Sequence, residues 1–153
     1  MDKVKTVALV AHDNCKADLT EWVAYNAHKL GMHHLVCTGT TGRMVEETLS
    51  RNNESPQTLV KLKSGPLGGD QQLGALVAEG KIDILIFFWD PMQPQPHDVD
   101  VKALLRITVL YNVPTACNRS TADFLIDSPH FELKYNRTFK DYSHYINRNL
   151  EQI

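Results

Sequence analysis

The densest chemistry-bearing stretch of this chain is Ser64-Gly65-Pro66-Leu67-Gly68-Gly69-Asp70-Gln71-Gln72. Its glycines allow backbone N–H groups to approach a ligand more closely than a side chain would permit. A helix beginning at Gly69 adds unpaired N–H donors and a partial positive charge. An anion fits there, with Asp70 facing it and Ser64 and Gly65 beside it. The pattern reads as a small anionic substrate held next to a carboxylate base. An ordinary aspartate, with a pKa of about 3.9, is ionised at neutral pH but is a weak base. Desolvation and a nearby phosphate would strengthen it, while the helix dipole would weaken it. Taking a proton from carbon with such a base requires a partner that stabilises the developing oxyanion. Aspartate is also a favoured helix-start residue, so residue type alone does not decide its role.

Three further clusters could supply that partner and hold an anion. In Asp90-Pro91-Met92-Gln93-Pro94-Gln95-Pro96-His97-Asp98-Val99-Asp100, three prolines stiffen the backbone, which reduces the entropy cost of positioning a group. His97 and Asp100 stand three apart at a helix start, a spacing at which the carboxylate could orient the imidazole to polarise a carbonyl. A capping Asp98 beside an exposed His97 is the plainer alternative. Thr38-Gly39-Thr40-Thr41-Gly42 offers three hydroxyls and a flexible turn before a helix, as phosphate sites do. It is neither a Walker A loop nor a dinucleotide fingerprint, and a simple threonine cap is the alternative. In His12-Asp13-Asn14-Cys15-Lys16, Lys16 lies near a helix N-terminus that repels it, which suggests an anion between the two. A solvated surface lysine remains open.

These clusters need a frame that brings them together. Strand-like runs at residues 4–11, 34–38, 58–62, 82–89 and 113–118 alternate with helical patterns at 13–30, 42–50, 69–79, 98–111 and 120–126. Gly80 marks the end of the third helix, residues 128–137 read as irregular, and 139–150 as a last helix. The alternation predicts an α/β single-domain three-layer sandwich spanning 1–153, with a five-stranded, mostly parallel sheet and helices on both faces. Ligands in such folds bind beyond the carboxyl ends of the strands. Each of the four polar clusters follows a predicted strand, so all four should meet at one edge of the sheet.

Composition narrows the partners. A net charge of −2 argues against nucleic acid and acidic membrane surfaces, which need a basic face. The longest apolar run, 84–89, is too short to span a bilayer, and Met1-Asp2-Lys3 leads into a strand-like run without a secretory pattern. Cys15, Cys37 and Cys117 lack metal or disulfide spacing and read as reduced cytosolic thiols in packing roles. His33 and His34 are adjacent and point to opposite faces of a strand, and no other histidine has a ligand-spaced partner, so no metal is expected.

The motifs ALVAHDNCK, TGTTG, SGPLGGDQQLGAL, EGKIDILIFFWDP and PHDVDVKALLRI run in order from about residue 7 to residue 107, and NVPTACNRSTADFLIDSPHF continues to about 131. This series resembles the methylglyoxal synthase family, although residues 46–61 look longer than usual and the tail matches only loosely. The resemblance implies conversion of dihydroxyacetone phosphate to methylglyoxal and inorganic phosphate, without a cofactor. It implies Asp70 as the base, His97 as the imidazole that polarises the carbonyl, and Asp13 and Asp100 as supporting acidic residues. His12, Lys16, Thr38, Gly39, Thr40, Thr41, Ser64 and Gly65 match substrate and phosphate contacts. It further implies a cytoplasmic homohexamer inhibited by phosphate, with Arg148 near a site-contacting arginine and Arg106 at an intersubunit contact. The same fold resembles effector-binding domains of carbamoyl phosphate synthetase and part of inosine monophosphate cyclohydrolase. Such domains would not be expected to keep Asp70, His97 and Asp100 together. A sugar-phosphate isomerase is a further alternative, separable by its product.

Overall fold

The computed structural model describes residues 1–146. Five strands form one sheet: β1 (Thr6–Ala11), β2 (His34–Cys37), β3 (Thr58–Lys61), β4 (Ile84–Phe88) and β5 (Thr115–Ala116). They lie in the order β3-β2-β1-β4-β5, and every pairing is parallel. The sheet is therefore wholly parallel, and all strands end on the same edge.

Its two faces are covered by helices because side chains alternate along each strand. Val7, Leu9 and Ala11 of β1, with Ile84, Ile86 and Phe88 of β4, pack on one side. They meet α1 (Lys16–Tyr25), α2 (Ala27–Gly31), α3 (Gly39–Arg51) and α6 (Arg119–Asp127). Ala8 and Val10, with Leu85 and Phe87, face the other side against α4 (Gly69–Ala78) and α5 (Asp98–Leu110). Both central strands are buried on both faces, which explains their unbroken apolar runs. The Trp22 indole N–H donates to Asp123 Oδ1 at 2.8 Å, so the largest core side chain keeps its polar atom satisfied.

The connections from β1 through β3 progress one way across the sheet, and α4 then carries the chain back past β1 to β4. The order reverses between β1 and β4. A crevice opens at such a reversal beyond the carboxyl ends of the strands.

The strands are shorter than the runs expected, β5 most of all with two residues of 113–118, and four helices also differ from the sequence reading. The helix expected over 13–30 breaks at Asn26, whose side-chain Nδ2 donates to the Trp22 carbonyl at 2.9 Å alongside its own backbone N–H. An asparagine competing for a backbone carbonyl in this way interrupts a helix. α3 starts at Gly39 rather than Gly42, with Thr38 extended before it. Residues 129–132 form α7 (Pro129–Glu132), because Ser128 Oγ accepts from the His130 N–H at 3.2 Å and Pro129 occupies the first helical position. The last helix begins only at Ser143, where Asp141 Oδ1 accepts from the Ser143 N–H, and within the described residues it is the single turn α8 (Ser143–Ile146). The rest of that expected helix, and Arg148, lie outside the described residues. Gly80 does follow α4 with φ +71, the left-handed backbone of a helix end.

Candidate active site

The turns after β1, β2, β3 and β4 enclose a cleft of about 90 Å³. Eleven of the twelve singled-out residues line it: His12, Asp13, Lys16, Thr38, Gly39, Thr40, Thr41, Ser64, Gly65, Asp70 and His97. Asp100 lies elsewhere.

His12 directly follows β1. Its N–H donates to the Phe88 carbonyl at 3.1 Å, extending the β1–β4 pairing by one residue. The Asp90 N–H donates to His12 Nδ1 at 3.2 Å. With Nδ1 accepting, a neutral imidazole carries its proton on Nε2. That Nε2 is buried with no protein partner, and the ring packs edge-on to Phe87 and His97 at 5.1 and 5.8 Å. Burial, and then the neighbouring His97, push the His12 pKa down, which favours this neutral donor.

A short 3₁₀ turn, Asp13–Cys15, leads into α1. Lys16 Nζ reaches Asp13 Oδ1 at 2.5 Å and also donates to the Thr40 hydroxyl. This links the β1 turn to the first turn of α3. The Asp13 side chain is largely exposed, and the hydrogen bond from Lys16 holds its carboxyl below the usual range. Thr38 and Thr41 are buried. Gly39 adopts φ +44, and an added Cβ would lie 2.8 Å from Ser64 Cα. The second and third turns therefore touch only because no side chain stands between them.

Asp70 sits in the first turn of α4 and is 3% exposed. Its Oδ2 lies 3.5 Å from His97 Nε2 and has no hydrogen-bond partner. Burial raises its pKa, and Asp100 raises it further, while His97 and His12 oppose the shift. A Cβ on Gly65 would fall 2.7 Å from His97 Nε2 and 3.0 Å from Asp70 Oδ2, so bare backbone separates these groups.

His97 caps α5 in a non-helical conformation, φ −114 and ψ 25, and its Nδ1 is buried without a partner. The expected pairing with Asp100 is not formed by the side chains. The Asp100 N–H donates to the His97 carbonyl at 2.9 Å, and Asp100 lines a separate cleft between α4 and α5, together with Asp70 and Gln71. Residues not singled out from sequence also contribute. Pro66, Phe87 and Gln95 line the cleft, and Asp90 fixes the His12 tautomer. The Ala11↔Phe88 register places Asp90 beside His12, and that pairing is the signal that would have found it.

The MGS-like domain profile matches residues 19–117. A methylglyoxal synthase from Maridesulfovibrio salexigens is 59% identical over 98% of this chain and 100% of its own length. One from Coxiella burnetii is 52% identical over 95% and 97%. The crystal structure of methylglyoxal synthase from Elizabethkingia anophelis superposes with a TM-score of 0.88 at 50% identity, covering 98% of this chain and 95% of that one. Together, the full-length similarity and the cleft at the β1–β4 reversal show that the chain belongs to the methylglyoxal synthase family.

Proposed function

We propose that this enzyme converts dihydroxyacetone phosphate to methylglyoxal and inorganic phosphate, as a carbon–oxygen lyase acting on a phosphate ester. One observation carries the reading. A buried carboxylate with an unpartnered oxygen lies 3.5 Å from an imidazole, at the wall of a cleft whose rim holds hydroxyls and a lysine.

Asp70 takes a proton from the hydroxymethyl carbon of the substrate. The carbonyl oxygen gains negative charge, and His97 donates to it, with the His12 Nε2–H as a second donor from the same side. Lys16, Thr38, Thr40, Thr41, Ser64 and the backbone around Gly39 and Gly65 take the phosphate. The bridging C–O bond breaks when it stands perpendicular to the ene-diolate plane, and its electrons leave with phosphate. As that bond breaks, the terminal hydroxyl gives its proton to the departing phosphate and becomes the aldehyde carbonyl, and the enolate that remains takes up a proton at its methylene carbon and becomes methylglyoxal. An isomerase would hold phosphate in the plane, so the phosphate contacts select the product as well as the substrate. Asp13 steadies Lys16, and the chain acts as one domain. The same reading carries a cytoplasmic homohexamer that phosphate inhibits.

Purified protein incubated with dihydroxyacetone phosphate should release both products in equal amounts. Asp70→Asn should lower kcat by about 10²–10⁴ with substrate binding nearly intact. Undiminished turnover in that variant would remove Asp70 as the base.

A further inference from the structure

The His97 imidazole has no hydrogen bond of its own to fix its aim. Its Nδ1 is buried without a partner, and its Nε2 lies 3.5 Å from Asp70 Oδ2, beyond an ordinary hydrogen bond. Its place in the cleft is therefore set by the backbone that delivers it. On one side α5 holds the His97 carbonyl, through the Asp100 and Val101 N–H groups. On the other side lies the loop that follows β4. Asn14, from the β1 turn, reaches across to that loop: its Nδ2 donates to Asp90 Oδ2 at 2.8 Å and to Gln93 Oε1 at 2.7 Å. A carboxylate only accepts, so the amide edge facing Asp90 is the NH₂, and both of its hydrogens go to the loop. We infer that Asn14 is a positioning residue, a two-pronged clamp that holds the 90–97 loop against the β1 turn and keeps His12 and His97 aimed into the cleft. The inference rests on the reaction proposed above, in which both imidazoles donate to the substrate oxygen.

Both jaws of the clamp are stiff. Asn14 belongs to the 3₁₀ turn directly after His12, where the Cys15 N–H donates to the His12 carbonyl at 2.9 Å. Opposite it, Asp90 Oδ1 accepts from the Met92 and Gln93 N–H groups at 2.9 and 3.3 Å, closing the first turn of the loop. The Met92 N–H, and then Asn14, hold the Asp90 carboxyl below the usual range, so this prong ends on a charged acceptor. The Asp90 N–H in turn reaches His12 Nδ1. Asn14 thus closes a ring that starts and ends at His12. Beyond Gln93, Pro94 and Pro96 leave the backbone few states before His97. Residues 91–94 and Pro96 are exposed, so burial does little to hold them. Among the described residues, Asn14 makes the only hydrogen bond from 91–96 to any residue outside 90–98.

Asn14 and Gln93 are both exposed, so alanine at either position leaves the core intact. Asn14→Ala should lower kcat about 10-fold, short of the roughly 10²-fold that a misplacement of about 1 Å costs, with KM for dihydroxyacetone phosphate within about twofold of wild type. Gln93→Ala should lower kcat about 3-fold, the effect of one modest hydrogen bond, because the Asp90 prong remains. The double variant should be no slower than Asn14→Ala, since Gln93 acts through Asn14. Ring-nitrogen NMR of the free enzyme adds a readout that a loss of stability alone does not move. The His12 resonances, identified by their loss in His12→Gln, should show a single Nε2–H tautomer in wild type and a tautomer mixture in Asn14→Ala. Wild-type kcat in Asn14→Ala overturns the inference, as do a change confined to KM, additive losses in the double variant, or an unchanged His12 tautomer. Failure of the wild-type enzyme to form methylglyoxal and phosphate would instead overturn the reaction assigned above, and the His12 spectra would still decide the clamp.

Discussion

Asp70 is a residue where chemistry and folding pull in opposite directions. Its burial raises the pKa, so the native state holds the proton more tightly than the unfolded chain does. Stability therefore falls as pH rises from the ordinary value of 3.8 through the raised native value, and the deficit persists above it. Asp70→Asn removes that deficit. Its Tm should exceed the wild-type Tm near neutral pH, with a smaller difference at the ordinary carboxylate pKa, as thermal melts at the two pH values will show. The same shift places the acidic limb of the kcat/KM profile above 3.8, where a pH–rate series will read it. Gly65 carries a separate prediction. Gly65→Ala inserts a methyl group against His97 Nε2 and Asp70 Oδ2, so it should cost activity at least 10²-fold while leaving the melt nearly unchanged.

At the scale of elements, the site depends on two turns lying in van der Waals contact. Gly39→Ala would force an alanine into φ +44 and press its Cβ against the Ser64 backbone. Strain of about 1–3 kcal/mol should lower the Tm, and KM for a phosphate substrate should rise as the two turns separate. The elements themselves were largely legible in the sequence, because β1 and β4 are continuous apolar runs and each polar cluster follows a strand. The misses share a cause, which is that hydrogen bonds chosen in the folded chain decide them. Asn26 ends α1 by bonding back to Trp22, and Ser128 starts α7 by accepting from His130. The three-residue spacing of His97 and Asp100 at a helix start suggests a carboxylate that orients the imidazole. That holds only when both residues are helical, and His97 is the cap, with ψ 25. Asp90 was legible as a strand-end residue, but its bond to His12 depends on the β1–β4 register.

Across the whole molecule, the end of the sheet opposite the cleft is closed by the chain itself. Lys5, fully buried just before β1, donates from Nζ to the carbonyls of Asp2 and Leu133, while Met1 and Tyr135 pair through their backbones. No helix among the described residues is long and apolar enough to cross a membrane. The reversal of strand order has a consequence for how activity first appears. His12, Lys16, Thr38–Thr41 and Asp70 come from the first half of the chain, whereas His97 follows β4 and faces them only once β1 has docked on β4. That pairing is among the most distant in sequence, and long-range strand docking is slow compared with helix formation. After dilution from denaturant, ellipticity should therefore recover before turnover does, and a stopped-flow comparison of the two will reveal the lag. A half-translated polypeptide would be chemically silent, holding its anion grip and its carboxylate but lacking the imidazole that must answer them.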